Sequence, residues 1–366
     1  MPPDVSDWIS NPAELATRLA KAAPRVGMDT EFVRERTWWP KLALVQIALE
    51  DGSILLVDPL VPGMNAVLAA LLADPAVTKV MHSPSEDLMA FKHACGVVPA
   101  PLFDTQAAAA LAGVAGGAGY QRLVQDMLGV ALSKGETRSD WMRRPLSAAQ
   151  LEYAADDVRY LHAVHAHLAP RLEELGREPW RRADAERALR LAAADGDDPF
   201  PHLALRSAQS LDAAGQVRLW RLLRWRDREA RRGDRPKSWV LDPELAVMLA
   251  RRPPPDPDAF EELLNRHPKA PRKARGALWD LLSAEATDEE RTLPLLREQT
   301  FDKQALKAMQ EAVAAQARAH GLPDGLLCAR RHLETLLDGR DWPDALSGWR
   351  RELLEPVLAP LLPRPR

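Results

Sequence analysis

The chain has 366 residues, 46% of them hydrophobic and 28% charged. At about 150 residues per domain, that length provides for two or three separate cores. Its 49 basic and 52 acidic residues leave a net charge of −3, which excludes binding to nucleic acid through bulk positive charge. Two cysteines, Cys95 and Cys328, exclude a disulfide scaffold and a four-cysteine zinc site.

The first residues carry acids and prolines where a secretory leader needs a basic start and an apolar run, so no leader is expected. No apolar run reaches the roughly 18 residues of a membrane span. A cytoplasmic protein follows as the expectation. Val26 to Asp29 reads as a short strand running into Thr30, Glu31 and Phe32. Leu42 to Leu49 and Ile54 to Val57 are β-rich and separated by Asp51-Gly52, a hairpin signal. Asn65 to Ala73 reads as a helix and Val77 to Met81 as a strand. Ser83-Pro84-Ser85-Glu86 has the composition of a helix start, with serine as the cap. Ser147 is expected to cap one long helix reaching about His167. Early strands followed by strand–helix alternation predict a mixed sheet with helices on its faces.

The pattern changes after Asp195-Gly196-Asp197-Asp198-Pro199. From Leu203 on it is helical, interrupted by Pro253-Pro254-Pro255, and its two halves are weakly alike. This divides the chain into an α/β domain over about 1–190 and two helical domains over about 205–285 and 292–362. Charge is uneven. Residues 1–170 hold 14 basic and 19 acidic side chains, net −5, whereas residues 206–240 hold ten and four, net +6. Arg218, Arg221, Arg224 and Arg228 step by three or four and so predict one helical stripe. Such a stripe serves either as a solvated face or as a contact for an RNA backbone.

Acids are scattered at the ends of the predicted elements. Asp29 and Glu31 sit at the end of a strand, where alternation sends both carboxylates to one face. By itself the Asp-x-Glu pattern says little, since it occurs five times, but only this copy lies on a strand of the α/β region. Asp87 falls in the first turn of the helix after the Val77–Met81 strand. Tyr153 and Asp157 are four apart and share one helix face. This is the only Tyr-x-x-x-Asp in a chain with three tyrosines. Four acids and a tyrosine suit two-metal phosphodiester hydrolysis, in which cations about 3.5–4 Å apart clamp the attacking and leaving oxygens. Carboxylate oxygens suit Mg²⁺ or Mn²⁺, and a phenol can orient the attacking water.

Four segments resemble the ribonuclease D family of DEDDy 3′–5′ exonucleases: Gly27 to Arg34, His82 to Leu88, Thr137 to Leu146, and Tyr153 to Val158. The tail is similar to tandem HRDC domains, which are helical nucleic-acid-binding modules. The resemblance implies a ribonuclease H-like fold with a mixed five-stranded sheet, followed by two all-α HRDC-like domains. It also implies stepwise release of 5′-mononucleotides from RNA 3′ ends, notably tRNA precursors, by a monomer that needs no membrane and no nucleotide cofactor. Asp29, Glu31, Asp87 and Asp157 would hold two divalent cations, and Tyr153 would position the water. Asp156 leaves a register ambiguity, although the tyrosine spacing selects Asp157, because Asp156 points about 100° away around a helix.

Other positions keep two readings. Asp104 either caps the helix that Thr105 begins or adjoins the site. His82 is either structural or a ligand. Lys134, Arg138, Trp38, Arg221, Arg224 and Arg228 are candidate RNA contacts, against exposed loop charge for the first two and packing for Trp38. The same residues also fit a DNA exonuclease, or a binding scaffold whose nuclease domain is inactive. The intact set of acids argues against the scaffold.

Overall fold

A computed structural model describes residues 6–20, 23–133, 135–136, 139–194, 198–296, 302–339 and 341–362. Two compact units emerge, one of Met1–Val33, Pro40–Ala194 and Phe301–Arg366, the other of Arg34–Trp39 and Asp195–Thr300.

The first unit is built on a sheet of β1 (Ser6–Ile9), β2 (Arg25–Val33), β3 (Lys41–Ala48), β4 (Ile54–Val57), β5 (Thr78–Met81) and β6 (Leu102–Asp104). The strand order is β1-β4-β3-β2-β5-β6. Strands β2, β3 and β4 are antiparallel, while β1 joins β4 and β5 and β6 extend β2 in parallel. The sheet is mixed as expected, but it has six strands instead of five. The sequence reading named neither β1 nor β6; β1 is four residues long and contains Asp7 and Trp8. So short a segment has no readable alternation; its partner β4, nearly fifty residues away, makes it a strand.

Helices cover both faces. Between β1 and β2 lies α1 (Pro12–Leu19), and between β4 and β5 lies α2 (Met64–Ala73). Then come α3 (Ser85–Cys95), α4 (Thr105–Leu111), α5 (Tyr120–Leu128), α6 (Ala148–Arg159), α7 (Leu161–Glu174) and α8 (Glu178–Ala193). Val26, Met28, Val45, Ile47 and Phe91 fill the core on one face, and Leu44, Ala48, Ala154, Val158 and Leu161 fill it on the other.

Two local expectations change. Ser83 does not cap α3: the N-cap is Pro84, without a side-chain bond, and Ser83 has φ +53°. Ser147 does cap its helix, in a capping box with Gln150. That helix stops at Arg159 rather than running on to His167. At the break, the Tyr160 N–H donates to the Tyr120 hydroxyl at 3.0 Å, so a side chain from α5 satisfies the interrupted backbone.

The described residues after 301 form α15 (Lys303–Ala319), α16 (Asp324–Leu327), α17 (Arg330–Leu337) and α18 (Trp349–Leu358), taking up the numbering after α9–α14 of the second unit. Their apolar side chains join the same core as α6 and α7. Trp349 stacks on Trp180 of α8, with centroids 4.5 Å apart and planes 6° from parallel. Arg177 donates to the carbonyls of Leu111 and His320. A Cβ at Gly116 would lie 2.9 Å from Pro323, so this approach requires a glycine.

The second unit contains α9 (Ala213–Arg232), α10 (Lys237–Val240), α11 (Pro243–Arg251), α12 (Pro257–Arg266), α13 (Arg275–Ser283) and α14 (Asp288–Arg291). Its core includes Leu219, Leu222, Leu245, Leu249, Phe260 and Leu278. No strand occurs in this unit among the described residues. No helix among the described residues is long and apolar enough to cross a membrane.

Candidate active site

The carboxylates come from three elements. Asp29 and Glu31 project from β2 to one face, and Asp87 occupies the first turn of α3. Asp157 and Tyr153 lie on α6, which packs across β2, β3 and β4. Two features of the sheet shape this arrangement. Gly27 lets α7 approach β2, since a Cβ there would sit 3.1 Å from Leu161 Cβ. A bulge follows Glu31, where the partner register jumps from Leu44 to Leu42 and leaves Ala43 unpaired. Arg144 takes up the bulge: its Nη2 donates to the Ala43 carbonyl at 2.6 Å, its Nη1 donates to the Trp141 carbonyl at 2.8 Å, and it pairs with Asp58. This fixes the segment before α6, and Trp141 packs beside the Tyr153 ring at 6.2 Å.

The acids act on one another. Burial raises Asp29 well above the ordinary carboxylate range, and the charges of Asp87, Asp157 and Glu31 raise it further. Burial, then Asp157 and Asp87, lift Glu31 to about 8. Burial moves Asp157 to about 7 against a hydrogen bond from the Tyr153 hydroxyl, with Asp87 adding to the rise. Burial raises Asp87 to about 6, while the Thr30 hydroxyl, which donates to its carboxylate, opposes the rise. The charge of Asp87 thus reaches the other three, and the four groups form one electrostatic cluster. Among the described residues no three His, Cys, Asp or Glu side chains are gathered into a ready-made metal cage. All-oxygen donors of this kind suit hard divalent cations.

Asp156 turns away and pairs with Arg159, so Asp157 is the acid that faces the cluster. Asp104 caps α4, accepting from Gln106 N at 2.9 Å, and also accepts from Ser83 N at 3.0 Å. His82 spends both ring nitrogens on Thr105 Oγ1 and the Ala118 carbonyl, and burial lowers its pKa, so it braces the fold as a neutral imidazole. Beside Tyr153 and Asp157 opens a recess of 570 Å³, bordered by Tyr120, Gln125 and Leu132.

The candidate RNA contacts fare differently. Lys134 and Arg138 lie outside the described residues. Trp38 lies in the second unit between Arg231 and Lys237, 5.5 and 4.8 Å from its ring centroid, with its N–H on Asp234. Arg221 is buried, pairs with Glu290 and donates to the carbonyls of Leu281, Ala284 and Glu285, so its guanidinium is used inside the fold. The expected stripe is therefore not one solvent face. Arg218 donates to the Ala250 carbonyl, Arg224 lies over Trp220, and Arg228 alone of the four is exposed. Helical spacing identified the face of α9, but not the elements that cover it.

The sequence reading passed over Thr30, which faces away from its acidic neighbours, and Arg144. Neither carries a local signal, because their partners are 57 and 86 residues away.

Comparisons with known proteins agree with this geometry. Residues 6–173 match a family model described as 3′–5′ exonuclease, and residues 302–358 match one described as ribonuclease D, C-terminal HRDC domain. Ribonuclease D of Xanthomonas oryzae pv. oryzae (strain KACC10331 / KXO85) is 57% identical over 357 residues, which cover 97% of this chain and 98% of that protein. Ribonuclease D of Escherichia coli (strain K12) is 33% identical, over 93% of this chain and 94% of that one. The crystal structure of Escherichia coli RNase D, an exoribonuclease involved in structured RNA processing, matches with a TM-score of 0.83 and 30% identity, covering 98% of both chains. The mixed sheet is that of the ribonuclease H-like exonucleases, an HRDC domain is present near the C-terminus, and the family is metal-dependent. Similarity over almost the whole chain, together with acids on β2, α3 and α6 brought into one cluster, establishes that this chain belongs to the ribonuclease D family and is a 3′–5′ exoribonuclease.

Proposed function

We propose that the chain removes 5′-mononucleotides one at a time from the 3′ ends of RNA, with tRNA precursors as substrates and two divalent cations held by Asp29, Glu31, Asp87 and Asp157. One observation carries this reading: acids from β2, α3 and α6 face one another closely enough that the charges of Asp87 and Asp157 raise Asp29 and Glu31, and that of Asp87 raises Asp157, which Tyr153 hydrogen-bonds. When bound, the cations, Mg²⁺ or Mn²⁺, supply Lewis-acid stabilisation of the charge that builds on the phosphate and its attacking and leaving oxygens. Asp29 and Glu31 are fixed by the sheet, so their oxygens need little reorganisation. The Tyr153 hydroxyl, held by Asp157 and braced by Trp141, orients the attacking water. The recess beside them, bordered by Tyr120, Gln125 and Leu132, accommodates the terminal nucleotide. Residues 205–285 and 292–362 serve as two HRDC-like modules, with Arg224 and Arg228 on the RNA side of the first. The protein works as a cytoplasmic monomer.

The test is a time course on 5′-labelled single-stranded RNA with Mg²⁺, Mn²⁺ or chelator, beside matched DNA and a 3′-phosphorylated RNA. A metal-dependent ladder shortening from the 3′ end of RNA is the expected result. Equal shortening of DNA would transfer the assignment to a DNA exonuclease, since the 2′-hydroxyl would then go unread. Binding without shortening under either metal would leave only a scaffold. Within this reading, Tyr153→Phe lowers kcat by about 10²-fold or more while RNA binding persists. Single-turnover kinetics and a filter-binding isotherm check the two parts separately.

A further inference from the structure

Strand β3 is buried along seven of its eight residues, and Gln46 is the polar one among those seven. Gln46 is 0% exposed, and no protein group partners either its Nε2 or its Oε1. The β2–β3 register sets it directly opposite Asp29. Cross-strand partners project to the same face, with Cβ atoms about 4.5–5.5 Å apart. Its same-face neighbours along β3, Leu44 and Ala48, belong to the core under α6, the helix that carries Tyr153 and Asp157. The carboxamide thus sits in the wall between sheet and helix, beside Asp29. Asp29 receives a backbone hydrogen bond from Thr30. A buried amide without partners weakens a fold, and an apolar side chain of similar volume would remove that cost. The packing of β3 therefore gives no reason for a glutamine here, whereas the adjacent site does.

We propose that Gln46 is a positioning residue of the metal site, its N–H groups holding the Asp29 carboxylate in the ligating orientation, directly or through one water. The inference rests on the assignment of Asp29 as a metal ligand. Partners of metal ligands are worth about 10–100-fold in affinity or activity.

The experiment compares wild type, Gln46→Leu and Asp29→Asn by Mn²⁺ binding, followed by electron paramagnetic resonance without RNA, by urea unfolding in chelator, and by kinetics on RNA. Gln46→Leu is expected to unfold at the same urea concentration as wild type or a higher one, to bind Mn²⁺ about 10–100-fold more weakly, and to lose kcat by a similar factor with KM nearly unchanged. Asp29→Asn is expected to lose both binding and turnover. If Gln46→Leu keeps the wild-type isotherm and kcat while Asp29→Asn loses them, the role of Gln46 is overturned and the site assignment stands. If Asp29→Asn also keeps them, both are overturned. Gln46→Met serves as a second apolar variant. Failure of both to fold would show that the amide serves the core and would overturn the proposal.

Discussion

Asp29→Asn is expected to reduce exoribonuclease turnover by about 10³-fold or more while making the metal-free protein more stable. The activity loss follows from removing one of the proposed charged ligands, since cations held there would supply several kcal/mol of transition-state stabilisation. The stability gain follows from the cluster itself. Burial and neighbouring charge raise Asp29 well above its ordinary range and lift Glu31 to about 8 and Asp157 to about 7. Carboxylates raised on folding bind more protons in the native state than in the unfolded one. Their contribution is therefore complete below the unfolded pKa of about 4 and is lost as pH rises toward about 8. Replacing Asp29 by a neutral isostere removes part of that loss. In chelator at about pH 8 the variant should melt several degrees above wild type, and the gap should close toward about pH 4. Calorimetry across that range, beside activity on RNA, checks both halves. A variant destabilised at pH 8, or one with normal turnover, would show that the four acids do not form one electrostatic unit. Added Mg²⁺ or Mn²⁺ should reverse the order of stabilities, because cations that bind only the native wild type stabilise it by mass action.

The second large effect concerns the C-terminal helices. Asp184→Ala is expected to destabilise the catalytic unit by about 3–5 kcal/mol. Asp184 on α8 accepts from Arg350 of α18, with Oδ2 at 2.9 Å from Nη2, and from Trp349 Nε1 at 3.3 Å. Arg350 is 7% exposed, and its Nε donates to the Leu326 carbonyl at 3.0 Å. Truncating Asp184 leaves a buried guanidinium without its counter-charge, which costs far more than loss of a surface pair. Combining Asp184→Leu with Arg350→Met should recover most of the loss, because apolar residues of similar volume substitute well for a buried ion pair. Urea unfolding of the single and double variants measures the difference. A single variant within about 0.5 kcal/mol of wild type would mean that α18 does not hold the catalytic unit together.

Local geometry in the sequence paired the candidate acids, and the resemblance supplied the metal-ligand roles proposed for them. Asp29 and Glu31 share a face because a strand alternates, and Tyr153 and Asp157 share one because a helix repeats every 3.6 residues. The same local rules identified the Ser147 cap, the Asp51-Gly52 hairpin and the helical character of the tail. They failed wherever the deciding partner was distant in sequence. β1 is a strand because β4 pairs with it, and the helix expected to reach His167 stops where Tyr120 supplies a hydroxyl. Arg221 had the spacing of a surface stripe, but Glu290, 69 residues on, draws it into the core. Gln46 passed unremarked within the β-rich run Leu42 to Leu49, and only the register opposite Asp29 links it to the site. Residues 292–362 read as a separate helical domain, but the described residues after 301 pack their apolar faces into the catalytic core, with Trp180, Asp184 and Arg177 in contact with them. Periodicity dictates which face of an element is apolar or charged; what covers that face is settled only when the chain packs.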